Sequence, residues 1–253
     1  MRVVVAKTKI HYLCSKFQTH YKMKKNLIGA LVLIAALAFA GCGSKNEKKN
    51  QVENTAETNV KPSQMLIIVD PQVDFTTGSL ATAKGPEAMD RLAETIEKGV
   101  LRKYSCVVVT QDAHPANHCS FIEQGGTFPP HCVQGTEGME VYPKLKKALD
   151  QDKDVKIIYL EKGNLPEKEE FSIFQNEQSG KKLHEIIENA KFDGIDICGI
   201  ATDYCVYETT RDLMEFYPAK KIRIIGNCIA AVDENDTKLA DLMSKTGVVT
   251  ATY

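Results

Sequence analysis

The chain has 253 residues, 43% hydrophobic and 26% charged, with 16 Gly and 9 Pro. This is ordinary globular usage, and it excludes a collagen-like, wholly disordered or polytopic membrane protein. A formal net charge of −1 and a pI near 6.6 argue against affinity built on neutralising many phosphates, so nucleic acid is not an expected partner. The eight cysteines are too dilute for a disulfide scaffold and form no repeated zinc pattern, so each is read in its local setting.

Seven basic residues, Arg2, Lys7, Lys9, Lys16, Lys22, Lys24 and Lys25, precede a fourteen-residue uncharged apolar run, 27–40. That length suits the core of a signal peptide and is short for a spanning helix of roughly 20 residues. Ala40 and Gly41 before Cys42 resemble the bacterial lipoprotein processing site, although Phe39 stands where Leu is usual. The compact start at Met23 makes 1–22 an upstream extension, 23–41 a lipoprotein signal peptide and Cys42 the lipidated residue. The expected location is the bacterial cell envelope, with the chain held to the membrane by its lipid. Residues 42–64 follow as a disordered tether, because a stretch without aromatic residues, Leu or Ile cannot offset its chain entropy by burial. Residues 65–253 then make one domain of usual size.

Short β-branched runs at 65–70, 106–110, 155–160, 195–200, 221–226 and 248–252 predict strands. Segments with apolar residues every three or four positions, at 86–103, 138–149, 179–190, 203–217 and 235–245, predict helices. The alternation predicts an α/β fold: a three-layer α/β/α domain around a six-stranded, mainly parallel sheet. In such sheets ligands sit beyond the carboxyl ends of the strands.

Three residues with chemistry fall at those ends. Asp70 ends the first run, Lys162 follows the third by two residues, and Cys205 lies where the fourth gives way to a helix. A free thiol has a pKa of roughly 8.5, so it needs help to react at neutral pH. Lys162 would favour the thiolate, Asp70 would accept the proton, and the helix beginning near Asp203 would offer N–H groups to an oxyanion. After the second run, Asp112, His114, His118 and His131 lie within twenty residues, a donor set suited to one divalent ion, Zn first, Fe or Mn next. Cys119 and Cys132 each follow one of these histidines and are read as free, partly buried thiols. Cys106 and Cys198 within strands, and Cys228 just beyond one, are read as packing. His184 is read as a surface residue.

On LIIVDPQVDF, TQDAHPANH, FPPHCVQGT, EKG and GIATDYCV, essentially all of 65–253 resembles the isochorismatase-like cysteine hydrolases and, within them, the nicotinamidases. The resemblance implies a catalytic triad of Asp70, Lys162 and Cys205. It implies an oxyanion hole from the backbone N–H groups of Ala201 and Cys205, beside a cis peptide at Ile200–Ala201. It also implies a metal that binds the pyridine nitrogen of the substrate, nicotinamide or a pyrazinamide-like carboxamide, with Phe75, Leu80, Phe128 and Phe171 walling the pocket. Val73, Phe128 and Phe171 stand where many relatives carry Asn, Trp and Tyr, which leaves the preferred carboxamide open. The oligomeric state is open as well. A cysteine amidase for a non-pyridine amide would use the same triad, whereas a non-enzymatic metal-binding surface lipoprotein would leave Lys162 and Cys205 without a task.

Overall fold

A computed structural model describes residues 63–253 of the chain. The expected upstream extension and signal peptide, Cys42 and nearly all of the expected tether lie outside the described residues. Six strands form one sheet: β1 (Gln64–Val69), β2 (Cys106–Asp112), β3 (Lys156–Lys162), β4 (Gly194–Ile200), β5 (Ile222–Ala230) and β6 (Val249–Ala251). Their order is β3-β2-β1-β4-β5-β6, and every neighbouring pair is parallel. The expectation of a mainly parallel sheet therefore sharpens to an all-parallel one.

β1 explains the layering. Its side chains alternate between faces, and Met65 through Val69 are all fully buried. Leu66 and Ile68 pack with Met89, Leu92 and Ala93 of α2 (Gly85–Glu97) and Leu145 and Leu149 of α3 (Pro143–Gln151). Met65, Ile67 and Val69 face the other way. There they join Leu183 and Ile187 of α4 (Glu177–Ala190), Val206 and Leu213 of α5 (Cys205–Leu213) and Leu239 of α6 (Lys238–Thr246). A strand covered on both sides has no polar face to alternate, hence its unbroken apolar run. Truncating one such side chain, as in Ile67→Ala, would cost about 2–5 kcal/mol.

The helix boundaries depart from the periodicity for local reasons. The segment expected as one helix over 86–103 breaks at Gly99, which turns left-handed at φ 86°, and Val100–Lys103 forms a separate 3₁₀ turn. The helix expected from 138 begins at Pro143, whose missing N–H and fixed φ suit a first helical position. α4 starts two residues early because the Asn176 side chain caps it, accepting the Ser179 N–H at 3.0 Å. A one-turn helix, α1 (Val73–Thr76), was not anticipated, and it carries Phe75. Among the described residues no helix is long and apolar enough to cross a membrane.

From β1 the chain runs outward to β2 and β3, and from β4 it runs the other way to β5 and β6. The sheet therefore has its topological switch between β1 and β4, where a crevice opens at the carboxyl ends.

Candidate active site and metal centre

Asp70 follows the last residue of β1 and takes a left-handed backbone at φ 44°. Its N–H donates to the Thr110 carbonyl at 3.1 Å, and the Thr110 hydroxyl donates to Asp70 Oδ1 at 2.6 Å. Asp70 Oδ2 is 3.0 Å from Lys162 Nζ as an ion pair but accepts no hydrogen bond, which leaves one buried oxygen for a proton. Lys162 is the last residue of β3, and Asp112 the last of β2. Both strands thus run two residues beyond the apolar runs that announced them, because Gln111 pairs with Glu161 and Asp112 with Lys162 in the ladder. The Lys162 ammonium lies 2.5 Å from Asp112 Oδ1 and 3.6 Å from Cys205 Sγ, and it donates to the Glu170 carbonyl at 3.1 Å. Cys205 opens α5, whose first-turn N–H groups have no partners within the helix. The Ile200–Ala201 peptide just before it is cis. The three expected residues meet at one point, and all are buried.

Burial is the largest influence on the Cys205 thiol and pushes its pKa well up. Lys162 pulls the other way, while Asp70 and Asp112 add to the rise. The expected help from Lys162 is present but outweighed, so the resting group is a thiol. Burial also raises the Asp70 carboxyl, against the pull of Lys162. Asp112 goes the opposite way: burial disfavours its charge, yet Lys162 and His114 hold it well below the usual carboxylate range.

The metal set is assembled by loop pairing. The His114 N–H donates to the Cys132 carbonyl at 3.0 Å and the Gln134 N–H to the His114 carbonyl at 2.9 Å, which lays the 131–134 stretch alongside His114. The rings of His114, His118 and His131 all pack against the edge or face of buried Phe121, at 5.5–5.8 Å between centroids. His114 Nδ1 bonds to the Gly163 carbonyl at 2.9 Å and His131 Nδ1 to the Pro129 carbonyl at 2.8 Å. Each ring thereby donates through Nδ1 and keeps the Nε2 lone pair for a ligand. Ligand atoms of Asp112, His114 and His131 lie within 4.8 Å of one another, and His114 Nε2 is buried without a hydrogen bond. His118 and His131 are held below their ordinary pKa, chiefly by burial, and are neutral at pH 7. Burial opposes charge on His114 as well, while Asp112 and the Gly163 carbonyl raise its pKa above the ordinary value. An orphaned imidazole nitrogen between a carboxylate and a second imidazole fits a divalent ion.

His118 stands apart. It clusters with His114 and Glu169, not with Asp112, and its Nδ1 and Nε2 contact Ser120 Oγ at 2.7 Å and the Lys168 carbonyl at 3.0 Å. Cys119 and Cys132 are free thiols, as are the other cysteines among the described residues. Cys228 lies inside β5, not beyond it, and is buried. His184 is exposed, its ring against Phe216.

Phe75, Leu80, Phe128 and Phe171 do line one pocket, together with Asp112, His131, Ala201 and Cys205. Tyr204, Val232 and Glu169 complete its wall and were not anticipated. Tyr204 packs on Phe171 at 5.5 Å and Phe128 at 5.9 Å, so three rings frame a slot for a flat group. Gln72 was missed too. Fully buried, it accepts the Asp112 N–H at 2.7 Å and donates to the Asp112 and Met139 carbonyls at 2.8 Å, which fixes the end of β2. Glu170 is the other omission: it anchors the 163–176 segment by accepting from the Gly163 N–H and Asn176 Nδ2, each at 2.8 Å. A lone Gln or Glu near a strand end carries no periodic signal.

Residues 64–252 match the isochorismatase domain model. An Escherichia coli nicotinamidase is 30% identical over 172 residues, covering 61% of this chain and 78% of its own. A Pyrococcus horikoshii pyrazinamidase solved in complex with zinc is 28% identical, with a TM-score of 0.63 over 76% of this chain and 100% of its own. An L. infantum protein solved in complex with nicotinate is 29% identical, with a TM-score of 0.64 over 76% of this chain and 93% of its own. With its six-stranded parallel sheet and a domain match spanning nearly every described residue, the chain belongs to the isochorismatase family.

Proposed function

We propose that the chain is a metal-dependent amidase that hydrolyses nicotinamide to nicotinate and ammonia through a thioester on Cys205. One observation carries the reading: a single ring-walled pocket is lined by Cys205 and by Asp112 and His131. A flat ring in it lies between a nucleophile and a metal-ligating pair. Similarity to a nicotinamidase, to a pyrazinamidase solved with zinc and to a protein solved with nicotinate supports the same substrate class.

The resting Cys205 thiol must lose its proton as it attacks. Asp70 Oδ2, buried and without a hydrogen bond, takes it as the C–S bond forms. Lys162 holds Asp70 in place and offsets the charge that would otherwise build up beside Asp112. The carbonyl oxygen gains negative charge, which the N–H groups of Ala201 and Cys205 receive at the start of α5. Asp70 then returns the proton to nitrogen, the C–N bond breaks and ammonia leaves. Water attacks the thioester with Asp70 again as base, and the acid departs as the Cys205 thiol re-forms. Asp112, His114 and His131 would hold Zn, or Fe or Mn, while His118, expected as a fourth ligand, is committed to Ser120 and the Lys168 carbonyl; the bound ion would supply a Lewis-acidic contact for the ring nitrogen of the substrate. Phe128, Phe171 and Tyr204 restrict the ring to one plane, so the carboxamide carbon faces Sγ.

The basic start, the apolar run at 27–40 and the Ala40-Gly41-Cys42 junction support placing this activity in the cell envelope, on a lipid-anchored chain. The test of function is ammonia release by the purified full chain, supplied with zinc, from nicotinamide, pyrazinamide, benzamide and an aliphatic amide. Preference for the two ring-nitrogen substrates is expected. Turnover of the aliphatic amide that equals or exceeds that of nicotinamide would overturn the reading.

A further inference from the structure

Asp203 lies buried two residues before the nucleophile, and its carboxylate is spent on another loop. Oδ1 accepts the Val232 N–H and Oδ2 the Asp233 N–H, each at 2.9 Å. One residue earlier, the Thr202 N–H donates to the Ala230 carbonyl at 2.8 Å. Lys238 closes the clasp from the far end of that loop: its ammonium donates to the Asp203 backbone carbonyl at 3.0 Å and lies 5.1 Å from the centroid of the Tyr204 ring. The 230–238 loop is thereby pinned to the turn that carries Tyr204 and Cys205. Two acceptor oxygens meet two converging N–H groups here, a task only a carboxylate performs, since an amide of the same shape would turn a donor toward one of them.

Val232 is what the clasp holds. Among the residues lining the ring-walled pocket, Cys205, Asp112, His131, Phe75 and Ala201 are buried, whereas Val232 is 47% exposed. The reacting groups therefore form the floor and Val232 the mouth. We infer that Val232 is a specificity-determining residue of this site and Asp203 its positioning residue: the rim, fixed relative to Cys205 Sγ through one short turn, admits a bare ring and rejects one that carries a substituent toward the mouth. This rests on the ring-carboxamide reading proposed above and narrows its substrate class to unsubstituted single-ring carboxamides. A β-branched side chain is stiff at χ1, so on a clamped backbone it makes a firm edge. One methyl group more or less against such a wall is worth about 10-fold or more in discrimination.

The test uses the full chain, supplied with zinc, as wild type, Val232→Ala and Asp203→Asn. Two ratios are read. The first is kcat/KM for nicotinamide over that for derivatives carrying one methyl group on a ring carbon, which does not depend on how much of the protein is active and so is unmoved by a merely structural defect. The second is the rate of Cys205 alkylation by iodoacetamide over that by the bulkier N-benzyliodoacetamide, followed by peptide mass, which does not depend on the reaction at all. Val232→Ala should lower the alkylation ratio, and the kcat/KM ratio for at least one derivative, by about 10-fold, and Asp203→Asn should move both the same way. Val232→Ala leaves the clasp intact and decides the rim whether or not Asp203→Asn folds. Wild-type ratios in Val232→Ala overturn the inference, and shifted ratios there with wild-type ratios in Asp203→Asn overturn the role of Asp203. If wild type does not turn over nicotinamide while the alkylation ratio shifts as expected, the proposed reaction is overturned and the rim stands.

Discussion

Asp112 and Lys162 are register partners at the carboxyl ends of β2 and β3, and their side chains meet at 2.5 Å. The residue expected to ligate the metal and the cation expected to serve the thiol therefore share one buried ion pair. The proposed triad and the candidate metal centre are therefore not two sites that happen to adjoin. They are joined through a single rung of the sheet.

Cys205→Ala is expected to lower nicotinamide hydrolysis by several orders of magnitude, since no other thiol lines the pocket. Losing one buried sulfur should cost only about 1 kcal/mol. Steady-state ammonia release and thermal unfolding check the two halves separately, and near-normal turnover would falsify the nucleophile assignment.

Lys162→Met should be damaging in two ways. It leaves Asp70 and Asp112 facing each other without a cation, a loss of roughly 3–5 kcal/mol for breaking a buried pair. That corresponds to a melting temperature lower by about 10 °C in a domain of this size. Lys162 also lowers the Cys205 pKa against burial, so its removal should slow alkylation of Cys205 by iodoacetamide at fixed pH. An unchanged melting point with unchanged alkylation would remove Lys162 from the site.

Gly163 is held at φ 65°, and a Cβ there would fall 2.4 Å from His114 Cε1 and 2.7 Å from Nδ1. Gly163→Ala should push His114 aside and weaken zinc binding at least 10-fold, in line with the loss of an orienting partner. Gly135 provides the control: it has a similar φ of 78° but open space around its Cβ position. Gly135→Ala should carry the backbone penalty alone and leave zinc affinity intact. Equal zinc affinities in the two variants would contradict this.

How much of this was legible in the sequence divides by physics. β1 and β4, buried on both faces, announce themselves as apolar runs, and the residues that end them, Asp70 and the approach to Cys205, were placed correctly. β2 and β3 also end in polar pairs, Gln111-Asp112 and Glu161-Lys162, that look like loop although their backbones continue the ladder: Gln111 bonds the Met139 carbonyl, and Asp112 and Lys162 bond each other instead of packing in an apolar core. Histidine crowding within one loop pointed to a candidate metal set by composition, of which Asp112, His114 and His131 come together. It could not show that His118 turns towards Glu169, since Glu169 lies fifty residues away and approaches only through the Pro166 and Lys168 carbonyls. Gln72 and Glu170 were invisible for a related reason: their work is to hold backbone, which leaves no pattern in side-chain chemistry.

Chelation of the metal, or His114→Ala, should weaken nicotinamide binding and lower turnover while Cys205 stays reactive toward a small alkylating reagent. Zn, Fe or Mn should restore the loss. Benzamide has the same amide but no ring nitrogen, and it should gain little from the metal. Equal stimulation of benzamide and nicotinamide would show that the ion does not orient the ring.

The N-terminal proposal is independent of the domain. Expressed in a bacterium, the full chain should incorporate labelled fatty acid at Cys42 and fractionate with membranes, and Cys42→Ala should remove the label. Recovery of the wild-type chain as an unlipidated soluble protein would refute it.

Asp70, Asp112 and Lys162 each sit at or just past the end of a different strand, and strand side chains alternate faces at every residue. A slip of one residue between β2 and β3 would turn either Asp112 or Lys162 to the opposite layer and dissolve their ion pair. The reactive cluster is therefore a vernier for the sheet, readable only when three strands are aligned to the residue. During refolding, hydrolytic activity should return no earlier than correct registration of these strands, after any signal that reports helix content or collapse alone.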